Sequence, residues 1–154
     1  MKYKICPADD CLEEVKRLVV DYSKELNRDL SFQGFDNELL NLKEKYTYPN
    51  GKIICCKTEN DEVIGCVAYK KHSDIRCELK RLYVMPEYRK FGIGKKLLES
   101  IIEEAKKDNY KEIVLDTIKP LQSAIKLYKK YGFKEIMSYY DNPLEDVIYM
   151  KLDL

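Results

Sequence analysis

The sequence predicts a mixed α/β fold, a sheet flanked by helices, in a single domain covering residues 1–154. Three observations predict it. Apolar residues recur at helical spacing in some segments and form short strand-like runs in others. The elements follow the order strand, two helices, antiparallel hairpins, helix, strand, helix, strands, with no repeats, low-complexity segments or linkers. A glycine-rich turn from Arg89 to Lys95 joins a strand to a long helix.

Lys2 to Cys6 reads as a strand stopped by Pro7. Asp9 or Asp10 caps a helix with Glu13 and Glu14 in its first turn, running to about Leu26. Leu12, Val15, Leu18, Val19 and Tyr22 share one face of it. Asn27 to Gly34 is a loop, and a short helix after Asp36 uses Leu39, Leu40 and Leu42. Pro49-Asn50-Gly51 is a turn. Lys52 to Thr58 and Val63 to Lys70 form a hairpin that continues into a strand from Ile75 to Val84. A helix runs from Gly92 to about Lys107, with Ile93, Leu97, Leu98, Ile101, Ile102 and Ala105 inward. Glu112 to Asp116 is a strand, and Leu121 to Tyr131 a helix stopped by Gly132. Phe133 to Ser138 and Asp146 to Leu152 are the last strands, with a turn at Asn142-Pro143.

Composition excludes several classes. Hydrophobic residues at 45% and charged residues at 36% describe a globular chain, not a disordered one. A net charge of +1, from 28 basic and 27 acidic residues, argues against a broad nucleic-acid surface. No run approaches the roughly 18 apolar residues of a membrane span. Residues Met1 to Pro7 lack the apolar core of a signal peptide, so a cytoplasmic protein is expected. Cys6, Cys11, Cys55, Cys56, Cys66 and Cys77 form no Cys-x-x-Cys pair, and His72 is the single histidine. No metal site is expected, and the thiols read as buried and free.

The turn carries the chemistry. The first N–H groups of a helix lack internal partners, and the helix dipole adds partial positive charge there. Gly92 and Gly94 remove side chains where a ligand's phosphates would touch backbone. Arg89, Lys95 and Lys96 crowd this positive end, an arrangement that a bound polyanion offsets. The turn therefore reads as a pyrophosphate site. It is not a Rossmann fingerprint, because the third glycine position is Leu97. Nor is it a Walker A loop, because one residue separates the glycines and Lys96 follows Lys95.

Arg89-x-x-Gly92-x-Gly94 after a strand resembles the acetyl-CoA loop of the GNAT superfamily of N-acetyltransferases. The resemblance extends through Glu78 to Val84, Pro86 to Arg89, Leu115 to Thr117, Ala124 to Tyr128 and Tyr131 to Phe133, in family order. It covers roughly Ile64 to the C-terminus, with a fainter echo from Phe32 to Leu40. Tyr139 to Pro143 also looks like a tail of one uncharacterised bacterial branch. The resemblance implies a central, mostly antiparallel twisted sheet flanked by helices, with acetyl-CoA as cosubstrate. It places Arg89, Lys90, Phe91, Gly92, Ile93, Gly94 and Lys95 on the cofactor's phosphates. Leu82, Tyr83 and Val84 would meet the pantetheine arm through backbone, one N–H holding the thioester oxygen. Asp116 and Thr117, at a strand end, would touch acceptor or cofactor.

Acetyl transfer from a thioester needs a neutral amine. At pH 7 an alkyl amine of pKa about 10.4 is neutral in roughly one molecule per few thousand. A base is required, directly or through water, and Glu78 is the candidate, against an ordinary ion pair with Lys80 or Arg81. Tyr128 is the candidate acid for the leaving thiolate, although it also lies on its helix's apolar stripe. Leu121 stands where many relatives carry an Asn that touches the CoA arm. Phe32, Phe35 and Glu38 are candidate acceptor contacts beside Gln33, and Tyr140 could close over the acceptor with Tyr139 and Asn142. The expected activity moves acetyl from acetyl-CoA to a primary amine within a ternary complex. The acceptor is a small polyamine or amino acid, an amino sugar, or a peptide amine. The alternative is a noncatalytic acyl-CoA-binding module. Dimers are common in the family, but the sequence shows no interface pattern.

Overall fold

A computed structural model of the chain describes residues 1–30 and 34–154. Its first half runs β1 (Tyr3–Pro7), α1 (Leu12–Leu26), α2 (Phe35–Leu40), α3 (Leu42–Lys45), β2 (Gly51–Thr58), β3 (Val63–Lys71) and β4 (Arg76–Val84). A 3-10 turn (Pro86–Phe91) leads into α4 (Ile93–Lys107), then β5 (Glu112–Ile118), α5 (Gln122–Lys130), β6 (Lys134–Ile136) and β7 (Val147–Asp153). The strands make one sheet in the order β1-β2-β3-β4-β5-β7-β6. Every neighbouring pair is antiparallel except β4 and β5. The mixed, mostly antiparallel sheet flanked by helices is therefore the observed fold.

The central strands are buried on both faces, which explains their continuous apolar runs. On one face α4 buries Ile93, Leu97, Leu98, Ile101, Ile102 and Ala105, the six positions its 3.6-residue period selects. Burying each large aliphatic side chain contributes about 1.5–3 kcal/mol. They pack with Ile64, Val67, Leu79, Ile113, Leu115 and Met150. On the other face α1 lays Val15, Leu18 and Val19 against Ile53, Cys66, Ala68 and Tyr83. All six cysteines are free, and only Cys6 is more than slightly exposed.

Four boundaries differ from the sequence reading. The first helix begins at Leu12 with Cys11 at its N-cap, and neither Asp9 nor Asp10 caps it. The short helix after Asp36 divides at Asn41 into α2 and α3, and the Asn41 side chain donates to the Asn37 carbonyl at 3.1 Å. The strand expected from Phe133 to Ser138 shrinks to Lys134–Ile136, since only these residues pair with β7. β5 runs two residues further than Asp116, because Thr117 and Ile118 continue the ladder with Ile148 and Val147.

Two irregularities open the sheet at its centre. β4 and β5 pair only from Arg76 to Glu78, opposite Glu112 to Val114, and then part. Beyond Glu78 the edge of β4 that faces β5 has no ladder partner. β4 also bulges. Cys66 pairs with Tyr83 and Ala68 with Lys80, so Val67 alone opposes Arg81 and Leu82. Arg81 sits at φ 61°, a left-handed conformation that a bulky residue adopts only where its surroundings enforce it. Here Glu38 grips its guanidinium.

Candidate active site

The parted strands and α5 line a cleft that includes Lys80, Arg81 and Leu82 from β4, Asp116 and Thr117 from β5, and Tyr128 from α5. Tyr22 and Arg28 close it from α1 and the loop after it. Toward its upper end β4 reaches Val84, the 3-10 turn and the N-terminus of α4.

That N-terminus is open. Gly92 is its N-cap at φ 72°, the left-handed region that glycine enters without cost. No side chain caps the helix, and its first turn holds no acidic residue. A Cβ on Gly94 would meet nothing nearer than Leu127 and Val84, at 3.9 and 4.0 Å. Internal packing therefore does not demand a glycine at 94. Lys90 and Lys95 are exposed, with no carboxylate in ion-pair distance among the described residues. Phe91 is partly exposed beside them, and Ile93 is fully buried beneath.

Arg89 departs from the expectation. Its two terminal nitrogens donate to the Glu25 carboxylate of α1 at 2.7 Å each, and Nε donates to the Val84 carbonyl at 2.9 Å. The guanidinium also lies 5.3 Å from the Tyr83 ring centroid. Glu25 neutralises the charge that the sequence assigned to a phosphate. Arg89 instead staples the end of α1 to the end of β4.

Two carboxylates flank the parting strands, and the segment before β7 reaches both. Tyr139 donates its hydroxyl to Glu78 at 2.6 Å. Tyr140 donates to Asp116, and Asn142 donates to the same oxygen at 3.1 Å. Tyr149 packs edge to face on both Tyr139 and Tyr140, which are tilted against each other, with centroids 5.3–5.8 Å apart, and this packing fixes the hydroxyls. Glu78 is 4% exposed. Burial raises its carboxyl, but Lys80, the Tyr139 hydroxyl and Lys70 outweigh burial and hold it below the usual carboxylate range. Asp116 is more exposed and lines the cleft, which Glu78 does not.

Tyr128 is buried against Phe133, ring centroids 5.5 Å apart, while its hydroxyl makes no hydrogen bond among the described residues. Burial, reinforced by Tyr22 and Asp116, pushes the phenol up. A protonated phenol thus faces the cleft, with Asp116 among its neighbours.

Acceptor contacts are rearranged as well. Glu38 is wholly buried; its carboxylate takes two hydrogen bonds from Arg81, at 2.8 and 3.0 Å, and one from Lys45 at 2.5 Å. Burial raises this carboxyl, but Arg81 and Lys45 prevail and lower it to about 2. Glu38 therefore anchors the wall and presents no free oxygen to an acceptor. Phe35 stacks over Arg81, its centroid 5.3 Å from the guanidinium carbon. Phe32 lies outside the described residues. Leu82 and Thr117 line the cleft, with Tyr83 and Val84 buried beside them.

A family model described as "Acetyltransferase (GNAT) family" matches residues 16–133. The chain belongs to the GNAT family of acetyltransferases. An uncharacterized N-acetyltransferase of Schizosaccharomyces pombe is 41% identical over 144 residues, covering 93% of this chain and 88% of that one. A GNAT-family acetyltransferase structure from Staphylococcus aureus superposes with a TM-score of 0.83 at 24% identity, over 99% of both chains. A GNAT structure from Elizabethkingia anophelis with acetyl-CoA bound superposes at TM-score 0.68 and 25% identity, covering 99% of this chain and 98% of that one. A yeast relative matched over almost the whole chain replaces the expectation of a purely bacterial branch. The expected acyltransferase class stands, ahead of the alternative of a noncatalytic binding module.

The GNAT chain holds site residues that sequence reading missed. Arg28 pairs with Asp146 at 2.8 Å across the cleft mouth. Lys80, expected only as a partner for Glu78, is 8% exposed and lines the cleft. A lysine among strand residues gives no sign of burial, because the parting of two strands creates its position.

Proposed function

We propose that this protein transfers acetyl from acetyl-CoA to a primary amine, by direct attack within a ternary complex. The observation that carries the reading is the parting of β4 from β5 beside Tyr128 and Asp116, with β4 running on to the turn that opens α4 at an uncapped N-terminus, Gly92–Gly94. Backbone N–H groups there, with Lys90 and Lys95, take the pyrophosphate, and Phe91 and Ile93 shape the turn. The pantetheine arm follows the unpaired edge of β4 from Val84 through Tyr83 to Leu82, with Thr117 opposite. A backbone N–H of the Leu82–Val84 segment holds the thioester oxygen as charge develops on it.

In the reaction a nitrogen–carbon bond forms and the carbon–sulfur bond breaks. The amine's proton leaves to a carboxylate, directly or through water, and the CoA thiolate takes a hydrogen bond and then a proton from Tyr128. Glu78 is a weak base with one oxygen held by Tyr139 and the other paired with Lys70 and Lys80, so it serves best through water. Asp116 is the carboxylate in the cleft, held by Tyr140, and meets the acceptor amine first. Phe35 and Tyr140 border the acceptor.

Calorimetric titration with acetyl-CoA tests the reading, with Gly94→Glu as control. Micromolar binding that the substitution abolishes supports it. Folded wild-type protein that binds no acetyl-CoA overturns it and returns the chain to an interaction module.

A further inference from the structure

The two walls of the cleft carry unequal charge. On one wall stand Arg81 and Lys80; Arg81 shares Glu38 with Lys45 behind the wall, and this group is closed by hydrogen bonds. Beside it Lys70 and Lys80 share a single oxygen of Glu78, each at 3.5 Å, while Tyr139 holds the other oxygen. Two ammonium groups thus divide one carboxylate, at a distance too long for strong hydrogen bonds. The Lys80 side chain is 7% exposed and donates no hydrogen bond among the described residues. On the opposite wall Asp116 has only neutral donors, Tyr140 and Asn142, and no cation in ion-pair distance among the described residues.

Burying an ammonium without full counter-charge is costly, and so is leaving its donors empty. Burial, opposed by Glu78 and seconded by Arg81, Lys45 and Lys70, lowers Lys80 to about 8. An anion in the cleft would restore the balance. A second cation would worsen it, which disfavours polyamines.

We propose that the acceptor is an amino carboxylate, its carboxylate taken by Lys80 and its amine by Asp116 on the facing wall. This deepens the acetyltransferase reading and rests on it. The amine then stands beside Tyr128, in the part of the cleft where the thioester would end. Lys80 sets specificity and takes no part in the proton transfers.

The test is titration of the standard amino acids, their α-amides and spermidine into protein loaded with acetyl-CoA's unreactive product, CoA, followed by turnover with acetyl-CoA. The amide keeps the amine and removes the carboxylate charge. At least one amino acid is expected to bind, with its amide about tenfold or more weaker, the usual loss for a charge-assisted hydrogen bond. Lys80→Met should erase that difference and raise KM for the acid, with acetyl-CoA affinity unchanged. Lys80→Arg should keep part of the difference, which shows that the charge matters rather than the fold. An amide or spermidine binding as well as the best acid overturns the proposal. So does discrimination that survives in Lys80→Met, or a loaded protein that binds no amino acid. Failure to bind CoA or acetyl-CoA instead sinks the acetyltransferase reading itself.

Discussion

The turn from Arg89 to Lys95 and the mouth around Glu78 and Asp116 are built in opposite ways. The turn offers backbone. Its ligand groups come from consecutive residues, and its side chains matter mainly by being absent, as at Gly94. The mouth offers side chains brought together from afar. Tyr139 reaches Glu78 across 61 residues, and Arg81 meets Glu38 across 43. A backbone site tolerates much sequence change outside its glycines. A side-chain site is specific, and each member depends on partners in other elements. The difference suits a protein that binds one invariant cosubstrate and one acceptor of its own.

The comparison is broken most directly at the turn. Gly94→Glu sets a carboxylate against the pyrophosphate, and acetyl-CoA affinity should fall beyond detection while the far-ultraviolet circular dichroism is unchanged. Unaltered affinity would remove the turn from the site.

The mouth should fail differently, through stability. Glu38→Ala leaves Arg81 buried and uncompensated, so urea unfolding should show a loss of about 3–5 kcal/mol. The wild-type dependence on pH follows. The Glu38 carboxyl is lowered from 4.5 to about 2, so its contribution, about 3 kcal/mol, is complete above pH 4.5 and is lost as pH falls through 2. Glu38→Gln should flatten that part of the stability curve. An unchanged acid transition would mean that the pair is not what holds this wall.

Between the regions stands Tyr128. Tyr128→Phe is expected to lower kcat about 100-fold with acetyl-CoA affinity kept, the scale of a lost proton donor. Wild-type turnover would make it a packing residue against Phe133.

The smallest effect sharpens the mouth itself. Asp116→Asn should lower kcat/KM by more than Glu78→Gln does, the latter causing a drop of about tenfold or less. The reverse pattern would return the role of base to Glu78.

Much of this was legible beforehand. The inward face of α4 was readable residue by residue, because helical period and burial are local in sequence. The glycine turn was readable for the same reason: strand, glycines and helix start are contiguous. The Arg89 ion pair was not legible because its partner Glu25 lies 64 residues earlier, and a guanidinium binds the nearest well-placed anion. The partners of Glu38, Arg81 and Lys45, were hidden in the same way. The sequence by itself thus determined the layers, the helix faces and the glycine turn, all set by short-range periodicity and backbone geometry. Only the tertiary structure decided which charges face the cleft. The parting of β4 from β5 and the bulge at Arg81 bury Lys80 and uncover Asp116, and long-range strand pairing, not any local pattern, produces both.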